Sequence, residues 1–192
     1  MTLYNLCPCS SGKKFKFCCF LKVKSGNQEE LGKSVSFWPL HFCVWSGIKD
    51  GLATVIISRQ RPDGYFIASS YLVDVWCLGV KNADLKRNMT QVQLKSWYNE
   101  WDRRLDLVPI EYEEARSLIL GGIKYAENFG FKPHPDWKHA KSLIEPDRLF
   151  EDKFEFGMDG NPYYFAGPYD ANREEIIEKM REVGGHFTTF VS

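Results

Sequence analysis

The sequence predicts an α+β fold, in which an antiparallel sheet packs with helices behind a small N-terminal knuckle. Three observations carry this prediction. Strand-like segments cluster in the first half of the 192-residue chain, helical patterns follow them, and four cysteines fall within residues 7–19. Strands that come first and helices that come later are typical of the α+β class. With 44% hydrophobic and 15% aromatic residues, the chain has the material for one core plus a small appendage.

The strands are predicted from β-branched and aromatic runs bounded by turn residues. Residues 52–59 are rich in Val, Ile and Thr, residues 61–64 supply a turn, and residues 65–80 return as one long apolar strand. The aromatic-rich residues 38–45 add an earlier strand. We therefore expect an antiparallel sheet of at least three strands.

Two longer helices are predicted after the strands. Residues 92–104 follow Thr90, an N-cap residue, and residues 111–128 carry apolar side chains at helical spacing. Gly130 is the expected C-cap of the second helix.

Two further helices are shorter. Residues 136–144 lie between Pro135 and Pro146, which favour a helix start and a helix end. Near the C terminus, Asn172 and Glu175 fit a capping box for a helix over residues 173–183.

Cysteine spacing is the most informative motif of the chain. Cys7, Cys9, Cys18 and Cys19 form two close pairs separated by eight residues, in the stretch CPCSSGKKFKFCC. Four thiolates on one folded loop provide tetrahedral ligands for Zn²⁺, with no open coordination position. The pattern therefore predicts one structural zinc ion, with iron as the rival metal for four sulfur ligands.

The same stretch resembles the SEC-C zinc motif, C-x-C-x8-C-[C/H], with Ser10-Ser11 where the family usually has Gly-Ser. The resemblance implies a zinc-binding interaction module, similar to the C-terminal tail of the SecA preprotein-translocase ATPase, and not a catalytic centre. It assigns the four cysteines as the zinc ligands.

Disulfides and a free-thiol cluster are the alternatives to a metal. The polar start MTLYN lacks the apolar segment of a signal peptide, so we expect a reducing, cytoplasmic environment, with signal-less secretion left open. Adjacent Cys18 and Cys19 are also poor disulfide partners. Cys43 and Cys77 lie in apolar runs and are expected to be buried, inert thiols.

Charge distinguishes the knuckle from the rest of the chain. Residues 1–24 contain five lysines and no acidic residue, whereas the whole chain has a net charge of +0. The neutral total argues against a body dedicated to duplex DNA. Phenylalanines alternate with the lysines, so we expect at least one ring to cover the metal site and the lysines to contact a protein or RNA partner.

Domain boundaries follow from composition. We expect a zinc module at residues 1–24, a polar linker at 25–33 and an α+β domain at 34–192. The body, including LVDVWCLGVKNA and AENFGFKPHPD, resembles a family of uncharacterised bacterial proteins that often carry a SEC-C motif. That resemblance implies one coherent domain and brings no established activity.

Asp74 is the first catalytic candidate in the body. It lies in the apolar run YLVDVWCLGV, where burial of a carboxylate must be compensated. It could serve as a metal ligand of a nuclease, accept hydrogen bonds from backbone amides, or pair with Lys81.

His134, Asp136 and His139 are the second candidate, because imidazole and carboxylate groups in an H-x-D-x-x-H spacing could hold a divalent ion. Alternatively, Asp136 caps the following helix and the histidines have no site role. Combined with Asp74, this cluster predicts a divalent-metal hydrolase or nuclease in which strand and helix start meet at one cleft.

Motifs for other common chemistries are missing. The sequence has no phosphate-binding glycine loop, G-x-S-x-G elbow, H-E-x-x-H or dinucleotide fingerprint, and no apolar run of membrane-spanning length. The function expected first is a zinc-binding protein whose module docks an uncharacterised domain onto a partner. The metal-dependent hydrolase is the alternative.

Overall fold

The computed structural model describes residues 4, 13–17, 35–36, 38–144, 150–167, 170 and 172–189. Within them an antiparallel five-stranded sheet packs with four helices, which confirms the predicted α+β class. The strands are β1 (Leu40–Trp45), β2 (Leu52–Gln60), β3 (Phe66–Asp74), β4 (Gly79–Met89), β5 (Val108–Pro109), β6 (Tyr163–Ala166) and β7 (His186–Thr189). The helices are α1 (Gln91–Leu105), α2 (Tyr112–Asn128), α3 (Trp137–Ala140) and α4 (Arg173–Glu182), with 3-10 turns at Phe15–Phe17 and Lys141–Leu143.

The main sheet has the order β4-β3-β2-β1-β5, and every neighbouring pair is antiparallel. β2 and β3 pair without interruption, from Leu52 opposite Asp74 to Gln60 opposite Phe66. β2 is buried over seven consecutive residues because both of its faces are covered. The predicted strands at residues 52–59 and around residues 38–45 are confirmed, although Trp38 precedes β1.

The single long strand predicted over residues 65–80 is wrong. β3 ends at Asp74, residues 75–78 form a turn, and the chain returns antiparallel as β4, with Gly79 opposite Asp74. Gly79 has a φ of 64°, which glycine adopts without steric cost. The turn residues Cys77 and Leu78 are buried, so the turn has the apolar composition of a strand.

Helix α2 covers one face of the sheet. Its buried residues Leu118 and Ile119 pack with Val55, Ile57 and Val73, which alternate along β2 and β3 toward this face. Gly122 lies against the β3–β4 hairpin, where an added Cβ would come within 3.0 Å of Val73 Cγ1. Close helix-to-sheet packing therefore explains Gly122, whereas an added Cβ at Gly121 would lie 2.7 Å from the ring of Phe156.

Helix α1 covers the opposite face more thinly. Leu94 packs with Phe66 and Ala68, and Trp97 and Trp101 contact a cluster that contains Ile56. Of the fifteen residues of α1, Leu94 alone is fully buried. The helix therefore rests on the sheet through one narrow apolar stripe.

Most helix ends agree with the sequence. Thr90 caps α1 in a capping box with Gln93. Gly130 is the predicted C-cap of α2, but Phe129 takes that position and Gly130, with a φ of 73°, follows it. Residues 136–144 form α3 and the following 3-10 turn. The capping box predicted for α4 is wrong, because the side chain of Asn172 makes no capping hydrogen bond within the described residues.

The sequence does not predict the small unit formed by β6, α4 and β7. β6 and β7 are parallel, so α4 serves as the crossover between them. The Tyr163 N–H donates to the Trp76 carbonyl at 3.1 Å, and Met180 packs with Cys77, so the unit is attached to the β3–β4 turn. No helix of the described chain has both the length and the apolar character needed to cross a membrane.

Candidate functional site

The four predicted zinc ligands, Cys7, Cys9, Cys18 and Cys19, lie outside the described residues, as does the predicted linker at 25–33. The residues described between the two cysteine pairs form a tight 3-10 turn, Phe15–Phe17, in which the Phe17 N–H donates to the Lys14 carbonyl at 2.9 Å. Phe15 is 1% exposed, whereas Phe17 is 59% exposed. One ring of the turn is therefore buried and a second faces solvent, whereas the prediction that a ring covers the metal site involves cysteines outside the described residues.

An aromatic-basic surface forms around Lys16. Its Nζ donates to the hydroxyl of Tyr4 at 3.1 Å and lies 5.0 Å from the Tyr4 ring centroid and 5.7 Å from that of Phe17. The hydrogen bond from Lys16, together with its charge, lowers the pKa of Tyr4. Tyr4, Lys13, Lys14 and Phe17 are exposed around this lysine. The turn thus presents positive charge and two exposed rings on one small surface.

Asp74 closes the turn between β3 and β4. It is 6% exposed, and its Oδ1 accepts hydrogen bonds from the backbone N–H groups of Trp76 at 3.0 Å and Cys77 at 2.9 Å. Burial raises the pKa of Asp74 to about 6, although the hydrogen bond from Cys77 and the charge of Lys81 act in the opposite direction. Of the roles open from the sequence, the geometry matches acceptance of backbone hydrogen bonds.

Lys81 pairs with Asp170 instead of Asp74. Its Nζ lies 2.8 Å from Oδ1 and 2.9 Å from Oδ2 of Asp170, which also accepts hydrogen bonds from the Tyr164 hydroxyl and the Gly167 N–H. Burial disfavours ionisation of Asp170, but these hydrogen bonds outweigh it and lower its pKa. This network joins β4 to the C-terminal β-α-β unit.

Sequence reasoning missed this network. Lys81 and Asp170 are 89 residues apart, and Asp170 follows a Gly-Pro turn that geometry alone explains. The attachment of β6 to the β3–β4 turn, through the Tyr163 N–H and the Trp76 carbonyl, brings the two charges together. No local spacing in the sequence carries that information.

His134 and Asp136 form a local pair before α3. The His134 Nδ1 accepts a hydrogen bond from the Asp136 N–H at 3.2 Å and lies 3.7 Å from Asp136 Oδ2. The His134 N–H donates to the Val80 carbonyl at 2.8 Å, which fixes this loop beside β4. Asp136 is the N-cap residue of α3, but its side chain makes no capping hydrogen bond in the described part of the chain.

An open cleft of about 400 Å³ lies between this loop and β4. Asp136, His139, Asp84 and Arg87 are among the residues that line it, and Asp74 is not. Asp84 is paired with Lys86 at 2.8 Å. The cleft therefore contains Asp136 and His139 of the predicted cluster but not Asp74.

No set of three or more His, Cys, Asp or Glu side chains in the described ranges is arranged to hold a metal ion. Asp74, His134, Asp136 and His139 all belong to those ranges. The structure therefore does not bring these four candidates together as one set of metal ligands. Comparison with family models gives no match, and searches of curated proteins and of solved structures find no similar protein.

Cys43 and Cys77 are buried thiols, as predicted, with 7% and 0% exposure. Burial raises the pKa of Cys43 to about 12 and that of Cys77 well above its ordinary range. The Cys77 Sγ lies 3.3 Å from the Met180 Sδ, inside the core beside α4. Neither thiol has the thiolate character that nucleophilic chemistry requires.

Proposed function

We propose that this chain is a zinc-binding interaction protein whose N-terminal SEC-C-type module docks the α+β domain onto a partner. The ligands in this proposal are Cys7, Cys9, Cys18 and Cys19, whose spacing suits one closed tetrahedral site. The body contributes no arranged metal cluster within its described residues and two thiols that are buried. We further propose that the protein works in a reducing, cytoplasmic compartment, where the four thiols stay available to the metal.

The observation that carries the docking proposal is the exposed surface around Lys16. The exposed rings of Tyr4 and Phe17 both lie close to the Lys16 Nζ, with their centroids at 5.0 and 5.7 Å, and Phe15 of the same turn is buried. A buried ring that supports a turn and exposed rings beside positive charge suit contact with a negatively charged partner, protein or RNA. Metal binding fixes the shape of such a small module because it has little core of its own.

Zinc content tests the first half of the proposal. Elemental mass spectrometry on protein purified without added metal is expected to give one zinc per chain. Cys9→Ser is expected to lose it, because three thiolates leave the tetrahedral site incomplete. Cys43→Ser is the matched control: it also removes one thiol, but in β1, and is expected to keep the zinc. Full zinc in Cys9→Ser, or none in the unaltered protein, would contradict the assignment.

Partner capture tests the second half. Lys16→Glu and Phe17→Ala are expected to keep one zinc and lose the partner recovered by the unaltered protein from a cell extract. Lys132→Glu, an exposed lysine in the body, is the matched control and is expected to retain the partner. Nuclease treatment of the extract separates RNA from protein as the captured class. If Lys16→Glu retains the same partner, the surface around Lys16 does not bind that partner and the docking proposal is wrong.

The alternative, a divalent-metal hydrolase built on Asp74, His134 and Asp136, is tested separately. It requires a second metal equivalent, Mg²⁺ or Mn²⁺, that Asp74→Ala abolishes without loss of fold. We expect no second equivalent, because Asp74 Oδ1 already accepts hydrogen bonds from two backbone amides and Asp74 does not line the cleft that contains Asp136.

A further inference from the structure

A small cleft of about 310 Å³ separates β1 from α1. The strand contributes His41, Phe42 and Val44 to its lining. Consecutive residues of a regular strand point to opposite faces, so His41 and Phe42 would not normally share one cleft. They do so here because β1 has an irregular register: Leu40 lies opposite Arg59, but Phe42 lies opposite Ser58, which leaves one extra residue in β1. Such bulges redirect side chains and are frequent beside functional sites.

The bulge builds an aromatic wall. The ring of His41 lies 4.6 Å from that of Phe66 and 5.5 Å from that of Phe42. Phe42 in turn meets Tyr98 of α1 edge to face at 5.5 Å. The rings of both elements are therefore fixed against one another at the base of the cleft.

Helix α1 contributes the opposite wall through Gln91, Leu94, Lys95 and Tyr98. These positions follow the i, i+3, i+4, i+7 spacing of one helix face. Leu94 is 2% exposed and supplies apolar floor, whereas Gln91 and Lys95 are exposed at the rim. The helix thus offers an apolar base with an amide and an ammonium group above it.

Charge in the cleft has one sign. Lys95 is the charged residue of the lining, the described residues that line the cleft include no carboxylate, and Lys95 has no ion pair within the described chain. Burial lowers the pKa of His41, which favours the neutral imidazole, a ring that donates one hydrogen bond and accepts one. An apolar cleft with a single uncompensated cation selects for an anion with an apolar body.

We propose that this cleft binds a small monocarboxylate with a flat or short apolar body, with the carboxylate on Lys95 and the body against Phe42, Leu94 and Tyr98. The volume lies at the low end of ligand pockets, which suits a small molecule and is too little for a peptide segment. A carboxylate carries one negative charge, which the single lysine of the lining balances, whereas a phosphate monoester carries nearly two at pH 7 and would leave part of its charge without a partner. The proposal concerns the body and goes beyond the docking role of the knuckle.

The test uses 3-phenylpropionate as the probe. Two compounds of similar size serve for comparison, the neutral 3-phenylpropan-1-ol and the positively charged 3-phenylpropylamine. Titration of the full, zinc-loaded chain is followed by ¹H–¹⁵N NMR. The acid is expected to bind about threefold to fivefold more tightly than the alcohol, because an ion pair with an exposed lysine adds only modestly to affinity, and the amine is expected to bind most weakly. Shifts are expected to centre on residues 41–44 and 91–98. Equal binding of acid and alcohol, or shifts centred elsewhere, would overturn the proposal.

Two variants locate the site. Lys95→Glu is expected to weaken the acid at least about tenfold, and Gln91→Trp to block it by filling the rim. Both positions are exposed, and circular dichroism checks the fold. Lys138→Glu makes the same charge change on α3 and is expected to leave the affinity unchanged. Unaltered binding in Lys95→Glu, or an equal loss in Lys138→Glu, would show that no specific pair with Lys95 exists.

Discussion

Replacing Asp74 by Asn and by Ala separates the two things that its carboxylate does. The Asp74 oxygen closes the β3–β4 turn by accepting two backbone hydrogen bonds, and its charge is buried at 6% exposure. Asn keeps an acceptor oxygen and removes the charge. Ala removes both, and leaves the N–H groups of Trp76 and Cys77 without their acceptor. We expect Asp74→Ala to lower the free energy of unfolding by about 2–4 kcal/mol, since each unsatisfied buried amide costs roughly 1–3 kcal/mol.

The pH dependence of the free energy of unfolding measures the contribution of the Asp74 charge. Folding raises the pKa of Asp74 from 3.8 to about 6, so the folded state binds this proton more tightly than the unfolded state. The resulting stabilisation is fully present below the unfolded value of 3.8 and is lost as pH rises through about 6. Two pKa units correspond to about 3 kcal/mol, of which about 2 kcal/mol falls between pH 4.5 and pH 7.5.

Urea unfolding at pH 4.5 and pH 7.5 measures both effects. The unfolding free energy of Asp74→Asn relative to the unaltered protein is expected to rise by about 2 kcal/mol from the lower to the higher pH. Asp74→Asn is expected to equal or exceed the unaltered protein in stability at pH 7.5. If Asn costs as much as Ala at that pH, the carboxylate charge itself stabilises the fold, and the assignment of Asp74 as a turn acceptor fails.

Three further perturbations follow from the packing and the caps. Thr90→Ala is expected to lower the unfolding free energy by about 1 kcal/mol through loss of the α1 capping box, measured by urea titration. Gly51→Ala places a Cβ 2.2 Å from the Trp76 ring at a φ of 75° and should cost about 2–3 kcal/mol in thermal or urea unfolding. Gly47→Ala is the matched control, because Gly47 has a similar φ of 69° and an added Cβ there would have no atom within 4 Å. It should lower the free energy of unfolding by only about 1 kcal/mol. Equal losses in the two variants would show that the clash with Trp76 is not the cause. Asp170→Asn breaks the ion pair with Lys81 and is expected to cost about 2 kcal/mol at pH 7 and less in acid, because the lowered pKa of Asp170 stabilises the fold only while the carboxylate is ionised. Loss of the same size at every pH would contradict that reasoning.

Local signals were sufficient for the positions of the helices, although not for the cap of α4. The start of α1 was predictable because Thr90 and Gln93 lie three residues apart and cap each other without help from the rest of the chain. The end of α2 was predictable because Gly130 supplies a left-handed residue. The buried strand β2 was predictable because its β-branched residues are continuous.

Features that depend on distant contacts were not predictable. The β3–β4 turn has apolar residues that tertiary packing buries, so the sequence run YLVDVWCLGV is typical of one strand. β4 is polar because it lies at an edge, and β6 and β7 pair only across the α4 crossover. The bulge that brings His41 into the cleft is a one-residue shift in the pairing of β1 with β2. It depends on both strands, so the residue types of β1 alone do not predict it.

The unequal burial of the two long helices sets the order in which the domain opens. Ten of the seventeen residues of α2 are buried, against one of the fifteen residues of α1. Detachment of α1 exposes little apolar surface, so its amide hydrogens should exchange with solvent at a lower free energy than those of α2. The sheet face beneath α1 then becomes transiently accessible while the α2 side stays closed. A molecule held between α1 and β1 would slow that exchange selectively, which makes the α1 amides an internal reporter of occupancy.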